Sequence, residues 1–326
     1  MTIHRRMLLA LPGLAALSAP WAAAAQDGFP NRPVRLIVPF ATGGPSDIVA
    51  RLLAPKMSAV LGQPVIVESR PGAGGVTGLD AVAKAAPDGH TIGLGSAGGL
   101  AISPGLPQTM PYDVARDFAP LTLAVSVPEP LVVAGARPWR SMAELIAAAK
   151  AAPGKLNYGS TGPGSMPHLA GELLKLAAGI DIAHVPYRGG APLALALLAG
   201  EVDIGFADQP ILLPHLRSGG IRALAIGTRT RDPLLPEVPT MAEAGLPQVM
   251  TDNWHGLVAP ARTPPGAQAA LHRAAIAALT DPEVMRLLRD QGAFPAAQDQ
   301  AEFAAFIVRE TARWGEVIRR AGVRAE

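Results

Sequence analysis

Two glycine-bearing stretches hold the residue types that could do chemistry. The first is Phe40-Ala41-Thr42-Gly43-Gly44-Pro45-Ser46-Asp47, and the second is Ser160-Thr161-Gly162-Pro163-Gly164-Ser165. Each combines glycines, hydroxyl side chains and a residue suited to opening a helix. Glycine lets backbone N–H groups approach a ligand without a Cβ in the way. A helix start adds unpaired N–H groups and the positive end of the helix dipole, which suits an anion. Neither stretch contains lysine or arginine. The chemistry implied is capture of a negative group by backbone and hydroxyl donors.

Such loops need strands to deliver them and helices to receive them. Residues 34–38 are rich in β-branched types and read as a strand. After the first loop, Ile48, Val49, Leu52, Leu53, Met57, Val60 and Leu61 follow a period close to 3.6, the mark of an amphipathic helix. Ser46 or Asp47 is its natural N-cap, and Pro55 predicts a kink or restart near Ala54. Before the second loop, residues 156–158 read as a short strand. After it, Ser165 caps a helix with Leu169, Leu173, Leu174 and Leu176 on its apolar side. Two strand–loop–helix units so far apart imply two α/β lobes facing one ligand.

The rest of the chain continues the alternation. A second strand at 65–68 leads to the glycine-rich stretch 70–78, which lacks the Lys-Ser/Thr of a phosphate-binding loop and the dinucleotide spacing. It reads equally as a ligand contact or as a tight loop into a helix at 79–86. A third strand at 91–95 ends at Ser96, on the edge where open α/β sheets bind ligands. Ser96 joins the candidate site, unless its hydroxyl caps the turn at Leu100. Strands at 121–127 and 131–133 are interrupted by Pro128 and Pro130, a first crossing between lobes. A helix at 141–151 carries the capping-box pair Ser141 and Glu144. Strands at 182–185, 202–206 and 223–227 alternate with helices at 192–198 and 212–217, which argues for βαβ units and parallel pairing. Residues 253–258 read as the return crossing, and the three helices after it as packing back on the first lobe. The expected division is a signal segment at 1–25, a discontinuous lobe at 26–126 and 252–326, and a second lobe at 127–251.

Composition narrows the function. The 326 residues are 49% hydrophobic and 17% charged, enough for two ordinary domains with large cores. Arg5 and Arg6, the apolar run 7–17 and Ala22-Ala23-Ala24-Ala25 describe a secretory signal peptide. Its removal leaves 26 basic against 26 acidic residues, so the basic whole-chain balance argues for no nucleic-acid partner. Cysteine is absent, which removes thiolate metal sites and disulfides. The seven histidines show no metal-ligand spacing, so neither a metal nor a cofactor is expected. Ser160 or Ser165 with His168 forms the formal rival, an exported serine hydrolase. His168 otherwise reads as a helix-surface residue or a supporting hydrogen bonder. Arg188, beside Tyr187, is suited to an acidic ligand or to a carboxylate of the chain itself.

Ordered blocks over most of the length carry a resemblance. They are Val38-Pro39-Phe40 with Gly43-Gly44 and Asp47, Glu68-Ser69-Arg70-Pro71-Gly72-Ala73-Gly74-Gly75, and Ala83-Lys84-Ala85-Ala86-Pro87-Asp88-Gly89. Further blocks are residues 153–160, 168–173, His184-Val185-Pro186-Tyr187-Arg188-Gly189 and Gly256-Leu257-Val258-Ala259-Pro260. From about Phe29 onward the chain resembles the solute-binding proteins of the tripartite tricarboxylate transporters, the Bug receptors. The resemblance implies a periplasmic-binding-protein fold of type II kind, with two lobes of mixed, mainly parallel sheet and a cleft between them. It implies a monomeric periplasmic receptor, not an enzyme, for a small organic carboxylate, with membrane permease subunits or a sensor protein as partner. Carried onto this chain, the ligand contacts are Phe40, Ala41, Thr42, Gly43, Ser46 and Asp47 with Ser96, then Ser160, Thr161, Gly162, Gly164, Ser165, His168 and Tyr187. Relatives carry Phe-Asp-Asn where this chain has Phe206-Ala207-Asp208-Gln209, which makes Asp208 a candidate for selectivity.

Overall fold

The computed structural model describes residues 28–324, so the expected signal segment lies outside the described residues. The chain begins with β1 (Val34–Val38), α1 (Pro45–Leu61), β2 (Val65–Ser69), α2 (Val76–Ala83) and β3 (Thr91–Ser96). A π-helical turn at Gly98–Ile102 and the short α3 (Val114–Asp117) lead to the long strand β4 (Phe118–Pro128). Then come β5 (Pro130–Ala134), α4 (Met142–Ala151), β6 (Asn157–Ser160), α5 (Met166–Ala178), β7 (Ala183–Pro186) and α6 (Gly190–Ala199). The alternation closes with β8 (Ile204–Phe206), α7 (Gln209–Arg217) and β9 (Ile221–Ile226). Last are β10 (Asp252–Pro260), α8 (Pro265–Leu279), α9 (Pro282–Asp290), β11 (Phe294–Pro295) and α10 (Gln300–Ala321).

The strands form two mixed sheets, in the orders β11-β4-β10-β3-β1-β2 and β7-β6-β8-β5-β9. Parallel pairing is confined to β1 with β2 and β3 in the first sheet, and to β6 with β7 and β8 in the second. The strands that carry the chain between sheets, β4, β5 and β10, pair antiparallel with their neighbours. A parallel neighbour needs a crossover helix, and β5 and β10 each enter directly from the other sheet without one. The chain leaves the first sheet at Pro128 and enters the second at Pro130. It returns to the first at Asp252, next to Pro128 in register.

Several local expectations change. α1 begins one residue before Ser46, with Gly44 as N-cap and Pro45 in the first turn. Proline there presets the helical φ and lacks only an N–H that would be unpaired anyway. Ser46 and Asp47 therefore lie inside the first turn. The helix also runs through Pro55 without interruption, because that residue and Arg51 one turn earlier both face solvent, where water can satisfy the freed carbonyl. Val60 is exposed at 52% and lies off the buried stripe of Val49, Leu53 and Met57. At α4, Ser141 accepts from Glu144 N–H, but the Glu144 carboxylate takes the N–H of Arg140, so the capping box is only half formed.

One core lies between the first sheet and α1, α8 and α9, around Leu36, Leu53, Met57 and Leu271. Another lies inside the second sheet's layer, around Tyr158, Leu174 and Phe206. A further cluster joins the two. It packs Met166 and Leu169 of α5 against Phe303, Ile307 and Trp314 of α10 and against the π-helical turn. Thus α10 does more than return to the first sheet.

Candidate functional site

The loop after β1 is organised by Asp47. Its Oδ2 accepts from Gly43 N–H at 2.9 Å and from Arg51 Nε at 2.8 Å. Burial alone would raise this carboxyl, but Arg51 and the Gly43 N–H outweigh it and hold it below the usual range. Gly44 N–H donates to Ala41 carbonyl at 3.2 Å, which tightens the turn. The first helical bond of α1 runs from Ile48 N–H to Gly44 carbonyl, so the N–H groups of Ser46 and Asp47 stay outside the helical ladder. Phe40 packs half-buried against the first core, while Ala41, Thr42 and Gly43 are exposed. The hydroxyls are engaged within the protein. Thr42 Oγ1 lies 3.1 Å from Ser69 Oγ, and Ser46 Oγ lies 2.9 Å from Nε2 of the buried His255.

The loop after β6 is bonded to itself. Ser165 caps α5 as expected, accepting from His168 N–H, and its own hydroxyl donates to Gly162 carbonyl at 2.6 Å. Fully buried Ser160 lies 2.7 Å from His184 Nε2 and accepts from Gly162 N–H at 3.1 Å. Gly164 N–H donates to His168 Nδ1 at 3.1 Å, which fixes Nδ1 as the unprotonated nitrogen. The His168 and His184 rings stack at 4.0 Å and 7°, and Tyr158 stacks with His184 at 4.9 Å and 27°. Burial holds both histidines neutral, each pulled down to about 4. Below them Tyr158 donates to Glu172 at 2.8 Å, and Lys175 pairs with the same carboxylate. Tyr187 joins the loop through its N–H, which donates to Ser160 carbonyl at 3.0 Å.

These contacts correct three expectations. His168 is 7% exposed, not on the surface, and its ring nitrogen takes a backbone N–H, not a serine hydroxyl. The hydrolase pairing of Ser160 or Ser165 with His168 is therefore not assembled. Ser96 makes no cap, since the π-helical turn starts from Ala97 without a side-chain bond. It lies buried at the end of β3, opposite His255 in register.

The glycine-rich stretch 70–78 and the loop after β6 meet at Gly98. A Cβ there would stand 3.5 Å from Ser96 Oγ, 3.1 Å from Gly74 carbonyl and 3.6 Å from Gly164 carbonyl. Thr161 and Gly162 are half-buried and Gly164 buried in the same loop. Asp208 occupies the N-cap position of α7 but makes no cap bond; Oδ1 instead accepts from Asn253 Nδ2 at 2.7 Å. Arg188 is exposed and forms no ion pair with the described residues. Sequence reasoning missed His184, His255, Asn253 and Glu129. Their partners lie on elements distant in sequence, and no local spacing signals them. Each loop offers backbone dipoles suited to an anion, with a buried imidazole bound to its serine hydroxyl, His255 at Ser46 and His184 at Ser160.

Comparison with known proteins places the chain in a family. Residues 49–323 match the family described as the tripartite tricarboxylate transporter family receptor. BugT of Bordetella pertussis is 39% identical over 322 residues, covering 97% of this chain and 98% of BugT. The chain belongs to this receptor family. Among solved structures of Bug-type relatives, an adipate-bound R. palustris protein is 37% identical, with a TM-score of 0.86 over 91% of this chain and 99% of its own. MatC from Rhodopseudomonas palustris, solved with bound malate, is 36% identical, with a TM-score of 0.83 over 89% of this chain and 100% of its own. The receptor family is one of periplasmic solute-binding proteins, and the α/β fold of two mixed sheets is shared with these relatives.

Proposed function

We propose that this chain is an exported, non-enzymatic receptor that closes two lobes over a small organic carboxylate. The observation that carries the reading is the dicarboxylate held by two relatives alike over nearly the whole chain. The site here fits that chemistry: the N–H groups of Ser46 and Asp47 stay outside the helical ladder of α1, and a second glycine loop opens α5, with no lysine or arginine in either loop. Dipoles and partial charges recognise a carboxylate without the desolvation cost of a buried cation. The lobes are residues 26–126 with 252–326, and 127–251. The segment 1–25 directs export to the periplasm. There the closed, monomeric receptor presents its ligand to membrane permease subunits.

A thermal-shift panel of the mature protein tests this, with malate, adipate and other small carboxylates beside their amides or esters. A ligand that binds only the native state stabilises it by about 2.7 kcal/mol at a hundredfold excess over Kd. The expected result is a clear rise in Tm for at least one acid, lost with its amide. No rise across the panel, with folded and ligand-free protein, would overturn the carboxylate reading.

A further inference from the structure

The chain passes from the first sheet to the second through a single residue, Glu129, set between Pro128 and Pro130. Its relative exposure is 0%. Thr251 Oγ1 donates to its backbone carbonyl at 3.2 Å, so the outgoing and returning strands lie side by side here. Neither carboxyl oxygen of Glu129 meets an N–H or a hydroxyl. The groups that face it are acidic: Asp208 at the start of α7, within hydrogen-bond reach, and Asp252 on β10. A fully buried carboxyl group with no N–H or hydroxyl partner, beside the half-buried Asp208 carboxyl, does not hold its own charge, so it keeps its proton and turns it toward Asp208. Asp208 in turn accepts from Asn253 of β10 at 2.7 Å and faces buried His255 on the same strand.

We infer that Glu129 is a positioning residue for lobe closure: as a neutral acid it donates to Asp208 and so fixes the Asp208–Asn253 bond that ties α7 to β10. The inference rests on the proposal that ligand is captured between closing lobes. Burial, with Asp208 and Asp252 adding to it, holds the Glu129 proton well above the ordinary carboxyl range. The contribution is therefore complete at acid pH, below the unfolded value, and is lost as pH rises above it. A glutamine keeps the donor and removes the titration.

The test has a ligand-free arm and a ligand arm. Urea midpoints of the mature protein are measured from pH 5 to 9 for the wild type, Glu129→Gln, Glu129→Ala, Asn253→Ala and the double Ala variant. The wild-type midpoint is expected to fall with pH relative to Glu129→Gln, with the titration of Asp252 common to both. Asn253→Ala should lower the midpoint less in the Glu129→Ala background than in the wild type. Malate and adipate are the probes of the second arm. Glu129→Ala should weaken the bound acid about tenfold, the size of one lost buried hydrogen bond. Glu129→Gln should restore that affinity and flatten its fall at alkaline pH. A wild-type midpoint that runs parallel to Glu129→Gln at every pH, or additive Ala effects, would overturn the inference. The ligand-free arm needs no acid to bind. Silence of both probes with that arm intact would strike the receptor reading alone.

Discussion

His168 can receive the Gly164 N–H only while its Nδ1 is bare, so a proton there would set two donors against each other across 3.1 Å. Its neighbour in the stack, His184, is bound to Ser160, and a charge on either ring repels the other. The second loop is thus shaped by neutral imidazoles, and acid should loosen it. Burial pulls His168 down to about 4 from its ordinary 6.5. The unfolded chain therefore gains a proton that the native chain refuses. Stability from this residue is complete above about pH 6.5 and is lost as pH falls from there toward 4. At pH 5 the loss is about 2 kcal/mol, at roughly 1.4 kcal/mol per unit. Urea denaturation at pH 7.5 and pH 5 should show it, and His168→Asn, which offers an amide oxygen to Gly164, should show a shallower loss. An equal loss in both proteins would place the acid sensitivity elsewhere.

At the level of elements, α2 is held against the exit of β1 by the absence of a side chain. A Cβ on Gly78 would stand 2.7 Å from Pro39 Cα and 2.8 Å from Arg70 carbonyl, both backbone atoms that cannot swing aside. Gly78→Ala should cost about 1–3 kcal/mol, as overpacking does. Since Pro39 leads directly into the first loop, the same variant should weaken carboxylate binding. The denaturation midpoint and a titration with the bound acid check the two effects together. Elements of this kind were legible in the sequence because their signals are local: β-branched runs for β1, glycines for the loops, Ser165 as a cap. The N-cap of α1 was misplaced by two or three residues, at Ser46 or Asp47 instead of Gly44, because Pro45 opens the helix with no capping side chain. The hydroxyl partners were not legible. Ser46 finds His255 at a separation of 209 residues and Asn253 finds Asp208 at 45, through sheet register that no window of sequence contains. The antiparallel insertion of β10 between β3 and β4 was hidden for the same reason, because it depends on where the returning strand docks.

Across the whole molecule, the two sheets are coupled by more than their crossings. Leu169 lies fully buried on α5, and its cluster includes Phe303, Ile307 and Trp314 of α10. Burying one apolar surface from each side makes the order of one sheet favour the order of the other, so the chain should unfold in one step. Two sets of tryptophans make this measurable: Trp139 lies in the core of the second sheet, while Trp254 and Trp314 lie in the joining cluster. In Trp139→Phe protein without the segment 1–25, which holds Trp21, fluorescence follows the joining cluster and far-UV circular dichroism follows all elements. The two urea midpoints should coincide. Leu169→Ala removes the packing at the join, with a cost of about 2–5 kcal/mol typical of a buried leucine. That cost falls on the contact between the sheets and leaves each separate core in place, so the two midpoints should now part, fluorescence moving first. Midpoints that move together would show that the strands at Glu129 and Asp252 are enough to make the sheets one cooperative unit.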